Sequence, residues 1–197
     1  MNDAPDTRHS LIVRLRDRAD QQAWLEFSAV YEPVVYRLAR RRGLQHADAL
    51  DLTQDVLSAV AGAIERWDPD PARGKFRGWL YRIAKNLSIN ALTRGPKHAG
   101  SGDTAILELL NEQAALDGPD AALFELEYRR EAFGRAAARV REEVQPATWQ
   151  AFWQTGVEGR SIEEAGRNLG LSAGAVYAAR SRVLARLRRT VEELAGE

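Results

Sequence analysis

The stretch RSIEEAGRNLGLSAGAVYAARSRVLARLRR, Arg160 to Arg189, reads as two helices joined by a turn. Ser161 with Glu164 three residues on is a capping box, a start signal for a helix. That helix runs Ile162 to Leu169 and stops at Gly170, the residue best suited to leave a helix through a left-handed conformation. Leu171 and Ser172 complete the turn, and Ser172 caps a longer helix from Ala173. A short helix, a glycine-containing turn and a second helix form the helix-turn-helix pattern. Ala165, Leu169, Leu171 and Val176 are expected between the two helices, with Val183, Leu184 and Leu187 continuing the seam. The second helix would then present Ala173, Gly174, Tyr177, Ala178, Ser181 and Arg182. Small residues at its start let it enter a major groove, where N–H groups and arginines hold phosphates. The plainer alternative is an ordinary helical hairpin; the agreement of turn and caps in register favours DNA binding.

Outward from this pair the chain keeps a helical period, and no segment alternates like a strand. Ser10 is expected to cap a short helix ending at Asp17. Gln21 to Gly43 carries Trp24, Phe27, Val30, Tyr31, Val34, Val35 and Leu38 at three- and four-residue steps, with Pro33 inside it. Asp48 is expected to cap a helix from Ala49 to Trp67 with the stripe Leu52, Val56, Leu57, Val60 and Ile64. WDPDPARGKF breaks the pattern, and a helix to Arg94 follows it. TRGPKHAGSGD, Thr93 to Asp103, is a linker by composition, followed by an acidic stretch with a short helix expected around Ile106 to Leu110. Helices over Ala122 to Val144 and Pro146 to Trp153 lead to the final pair. The expected fold is all-α, with two small helical domains, 10–94 and 123–194, joined by a flexible acidic and glycine-rich linker, 95–122.

Bulk composition narrows the function. The chain has 197 residues, 45% hydrophobic and 28% charged, a globular balance. It has no cysteine, which excludes a disulfide framework, a thiolate nucleophile and cysteine-ligated zinc. Residues Met1 to Ser10 lack the apolar core of a signal peptide, and no apolar run approaches the ~18 residues of a membrane helix. The expected compartment is the cytoplasm, without membrane insertion. The formal net charge is zero, but its distribution is uneven. Arg37, Arg40, Arg41 and Arg42 form one basic cluster, and Arg180, Arg182, Arg186, Arg188 and Arg189 another. Between Gly95 and Glu125 the acids Asp103, Glu108, Glu112, Asp117, Asp120 and Glu125 face only Lys97. Such a chain meets a phosphate backbone locally and repels it elsewhere, so weak DNA affinity is expected of it alone.

GKFRGWLYRIAKNLSINALTR, Gly74 to Arg94, mixes aromatics, cations and amides on one helix. Phe76, Leu80, Ile83, Ala84, Leu87 and Ala91 form its expected buried stripe. Trp79, Arg82, Asn86 and Asn90 fall near one helical line. Aromatic faces stack on unpaired bases while cations hold the backbone, and an asparagine can make paired hydrogen bonds to a base edge. The loop Asp68 to Lys75 is placed to wall a pocket for an extruded base. The competing reading makes Phe76 and Trp79 core residues and the cations a solvated face.

In order, AWLEFSAVYEPVVYRLARRRGL, DALDLTQDVLSAV, FRGWLYRIAKNLSINALTR and the helix-turn-helix segment resemble a bacterial RNA polymerase sigma factor of the extracytoplasmic-function class, which keeps sigma domains two and four. The likeness covers about 23–94 and 127–191. It implies that the protein binds core RNA polymerase and directs it to promoters. The helix of DLTQDVL resembles the surface that docks on the clamp coiled coil of the largest subunit, through Asp51, Leu52, Gln54, Asp55 and Val56. Lys75, Trp79, Tyr81, Arg82 and Asn86 match the element that melts and reads the minus-ten region. Ser172, Ala173, Gly174, Tyr177, Ala178, Ser181 and Arg182 match the reader of the minus-thirty-five element, carried on the flap of the second subunit. Promoter DNA, duplex and single-stranded, and an anti-sigma factor are the further partners the resemblance implies. Tyr177, Ala178 and Asn90 depart from common family choices, which bears on promoter sequence and not on class.

The alternative is a stand-alone helix-turn-helix regulator, which would grip a palindrome tightly as a dimer without polymerase. An enzyme is not expected. His9, His46 and His98 lack ligand spacing, no nucleophile elbow or phosphate loop is present, and no metal or cofactor is implied.

Overall fold

The computed structural model describes residues 9–67, 75–94 and 119–195; every element among them is helical. The chain divides into two compact units, Met1–Glu131 and Ala132–Ala195. The N-terminal unit holds α1 (His9–Leu15), α2 (Gln21–Arg41), α3 (His46–Ala63), a 3-10 turn (Ile64–Arg66), α4 (Phe76–Arg94) and the first half of α5 (Pro119–Glu143). The C-terminal unit holds the second half of α5, then α6 (Pro146–Gly156), α7 (Ile162–Leu169) and α8 (Ala173–Ala195). The expected linker therefore runs four residues too far, because Pro119 opens a helix. Proline is favoured there, since the missing N–H would have no partner. The short helix expected around Ile106 to Leu110 lies outside the described residues.

The N-terminal unit is built around an aromatic cluster. Phe27, Tyr31 and Phe76 are buried, with ring centroids 4.9 Å apart for Phe27–Tyr31 and 6.1 Å for Phe27–Phe76. Trp67 and Trp79 pack on Phe76, each 5.4 Å from it. Burying each such ring contributes about 1.5–3 kcal/mol, and ring pairs add about 0.5–1.5 kcal/mol. α2 begins at Asp20, whose carboxylate accepts from the Ala23 N–H, and not by periodicity alone. It ends in a Schellman turn: Gly43 sits at φ +92°, its N–H bonds the Arg40 carbonyl, and Leu44 bonds the Ala39 carbonyl.

Two expected caps differ. The first helix starts at His9, leaving Ser10 within it, and ends at Leu15. α3 starts at His46 with Gln45 at the cap and no side-chain bond, so Asp48 lies in the first turn. There its charge still favours the positive helix end. In α4, Ala91 is exposed and not part of the buried stripe.

The C-terminal unit has two small cores. Ala136, Val140, Trp149, Phe152, Val183 and Leu187 form one; Ala151, Ala165, Val176 and Ala179 form the other, flanked by Ile162, Leu169 and Leu171. The expected residues between the two helices thus meet. Leu184 does not continue the seam, for it is exposed. No helix among the described residues is long and apolar enough to cross a membrane.

Candidate polymerase and nucleic-acid interface

The α7–α8 corner is fixed by local chemistry. Glu164 N–H donates to the Ser161 hydroxyl at 3.1 Å, and Ser161 N–H donates to the Glu164 carboxylate at 3.1 Å. Gly170 closes α7 at φ +66°, and Ser172 accepts from the Ala175 N–H to start α8. One determinant was missed in the sequence. Gly166 is buried with its carbonyl accepting from Leu171 N–H at 2.9 Å, and a Cβ there would stand 2.8 Å from the Leu171 carbonyl oxygen. The turn can close on α7 only because no side chain intervenes. The available signal was a glycine inside a helix, where it is otherwise disfavoured.

α8 presents Ala173, Gly174, Tyr177, Ala178, Ser181 and Arg182 outward, with Tyr177 60% exposed, and Ser172 is exposed before them. All seven residues expected on the reading face therefore share one accessible surface. Part of the nearby arginine cluster is committed elsewhere: Arg186 lies 3.6 Å from Glu143 and Arg189 3.6 Å from Glu193.

On α3, Asp51, Gln54 and Asp55 are exposed. Leu52 and Val56 are buried, so they hold α3 in the core and do not reach a partner surface. Of the five residues expected to dock, only Asp51, Gln54 and Asp55 are accessible. Partial burial, and then the neighbouring Asp51, push the Asp55 carboxyl above its ordinary value. Two like charges at i and i+4 are kept at some cost.

On α4 the outward line is Arg82, Lys85, Asn86 and Asn90, each half-buried, with Lys75 exposed before the helix. Trp79 and Tyr81 are buried, at 6% and 3% exposure. Trp79 joins the aromatic cluster and Tyr81 packs on Phe124 at 5.6 Å, so neither offers a face for base stacking in this structure. The core reading of the tryptophan prevails. Its reason is tertiary: Trp67 and the first half of α5 cover those positions. Burial pushes the Tyr81 phenol up and the Arg82 guanidinium down. Of the expected loop Asp68 to Lys75, all but Lys75 lies outside the described residues.

The Arg37–Arg42 cluster is not an open phosphate site. Arg37 and Arg41 meet Glu127 at 2.7 and 2.9 Å, Arg37 also meets Glu131, and Arg42 meets Asp120 at 2.6 Å. Arg40 donates to the Leu44 carbonyl. Arg77, buried, meets Glu125 at 2.8 Å and lies 4.5 Å over the Tyr128 ring. Sequence reading missed Glu127, Glu131 and Tyr128 as partners.

Residues 29–96, which span most of α2, α3 and α4, match the family model of sigma-70 region 2. The chain is 29% identical over 167 residues to the ECF RNA polymerase sigma factor SigE of Mycolicibacterium smegmatis, across 85% of this chain and 60% of that protein. It is 24% identical over 149 residues to the ECF RNA polymerase sigma factor RpoE of Cereibacter sphaeroides, across 73% and 75%. The chain thus spans less than two thirds of the length of the mycobacterial relative. A solved structure of CnrH in complex with the cytosolic domain of CnrY aligns with 93% of this chain and 96% of its own, at 23% identity and a TM-score of 0.36. Residues 29–96 are thus similar to sigma-70 region 2. Over most of its length the chain is similar to RNA polymerase sigma factors of the extracytoplasmic-function class.

Proposed function

We propose that this protein is a cytoplasmic RNA polymerase sigma factor of the extracytoplasmic-function class, which binds core polymerase and directs promoter recognition and initiation. The observation that carries this reading is the exposed Asp51–Gln54–Asp55 face of α3, inside the segment that matches sigma-70 region 2. A carboxylate pair held at electrostatic cost on an otherwise well-packed helix has a purpose in docking a cationic partner, here the clamp coiled coil. Arg82 and Asn86, with Lys75, contact the minus-ten element; the α8 face from Ser172 to Arg182 reads the minus-thirty-five element while its domain sits on the flap. In this reading the N-terminal unit, with the first half of α5 to Glu131, acts as sigma domain two, and the C-terminal unit from Ala132 acts as sigma domain four. Each domain is a weak DNA ligand, and polymerase converts two weak contacts into one specific complex by fixing their effective concentration. The protein carries no reaction of its own.

Co-elution with purified core polymerase, followed by run-off transcription on genomic fragments, tests the proposal. Retention by polymerase and defined start sites are expected. Tight binding to a palindromic duplex without polymerase, and no retention by the enzyme, would replace it with the stand-alone regulator.

A further inference from the structure

The first half of α5 lays its carboxylates on the basic end of α2. Glu127 is wholly buried, and three guanidinium groups close on it: Arg37 and Arg41 from α2, and Arg130 from its own helix at 2.8 Å. Arg37 also reaches Glu131 at 2.9 Å, and Arg42 reaches Asp120. Asp120, Glu127 and Glu131 stand at i, i+7 and i+11, one line spread over roughly 16 Å of helix axis. A row of anions paired with a row of arginines has the charge arrangement of a nucleic-acid backbone on a protein. Asp120 is half-exposed, and an ion pair open to water returns little net stability, so a competing polyanion can replace it on Arg42.

We propose that the Arg37–Arg41–Arg42 face of α2 is a DNA phosphate-binding surface, and that the acidic first half of α5 covers it in the free chain as an intramolecular competitor. The consequence rests on the sigma-factor reading: the chain stays off DNA until polymerase engages it. The half-helix itself is anchored in the core through Phe124 and Tyr128, so the competitor is its row of acid side chains and not the helix as a whole. The acids expected to discourage nonproductive DNA contact are thereby given a mechanism at Asp120, which occupies an arginine directly.

The test uses the full chain and a short mixed-sequence DNA duplex, read by fluorescence anisotropy over a salt series. Asp120→Asn with Glu131→Gln leaves the buried Glu127 in place. Affinity should rise about three- to tenfold, and the salt slope should steepen by about one per arginine released. Adding Arg37→Gln and Arg42→Gln, the partners of Glu131 and Asp120, should remove the gain. Unchanged affinity and slope, or a gain that survives the arginine substitutions, overturns the proposal. In the unaltered chain, saturating duplex should shift the side-chain carboxyl signals of Asp120 and Glu131 in NMR spectra; unchanged signals also overturn it. Co-elution with core polymerase is measured separately, and its loss bears on the proposed function and not on the cover.

Discussion

Asp55 and Asp20 show opposite electrostatic designs. The fold raises the Asp55 carboxyl, so the charged form is disfavoured and its penalty is present above the folded titration range. Asp55→Asn should therefore stabilise the chain slightly at neutral pH, about 0.2–0.5 kcal/mol from the Asp51 repulsion, and the gain should vanish in acid. Asp55→Arg should weaken retention by core polymerase with the circular dichroism spectrum intact; undiminished co-elution counts against docking through α3. Asp20 is the reverse case. Its hydrogen bonds from Arg14 and from the Ala23 N–H hold it down at about 2 from 3.8. Its contribution is complete above the ordinary range and is lost as pH falls through about 2. Asp20→Ala should lower the thermal midpoint at neutral pH, and the difference from wild type should close between about pH 4 and 2. The arginine run Arg37–Arg42 and its acids are both plain in the sequence; which acid meets which arginine is not, since the pairs lie 78 to 94 residues apart.

At the scale of elements, the α7–turn–α8 corner is a backbone device. Gly166→Ala forces a methyl against the Leu171 carbonyl, a backbone atom that cannot rotate away. A cost of about 1–3 kcal/mol is expected, checked by denaturant titration; an unchanged midpoint would mean the corner opens freely. This variant should also lose contact at the upstream element, because α8 would be re-aimed. Arg182→Ala, on the exposed face, should weaken that footprint with stability unaltered, while Asn86→Ala should slow promoter opening and spare polymerase binding. Equal loss of both activities in Asn86→Ala would make α4 a docking helix and not a reader. The caps and turn of this corner were legible because their partners are within four residues. The burial of Trp79 and Tyr81 was not, because period alone cannot say which of two neighbouring helix faces a distant element will cover.

For the whole molecule, the structure places the division between compact units inside α5, between Glu131 and Ala132. Local composition pointed instead to the glycine-rich stretch before it. A helix begins wherever its caps allow, whereas a compact unit ends where side chains stop sharing a core: Ala121, Phe124 and Tyr128 belong to the aromatic cluster of the N-terminal unit. Footprinting is expected to show strong protection at two promoter elements with polymerase present and little with the free chain at the same concentration. Equal protection in both would remove the need for tethering.

The sequence by itself determined that the chain is helical, where the short helix, glycine turn and long helix of the C-terminal unit lie, and which residues α8 turns outward. Those features depend on hydrogen bonds and periodicity over a few residues, and a reader of the sequence sees every participant. Only the tertiary structure decided that Trp79 and Tyr81 are inside, and that α5 closes over the arginines of α2. Burial and ion pairing join groups far apart along the chain, and their partners are chosen by packing.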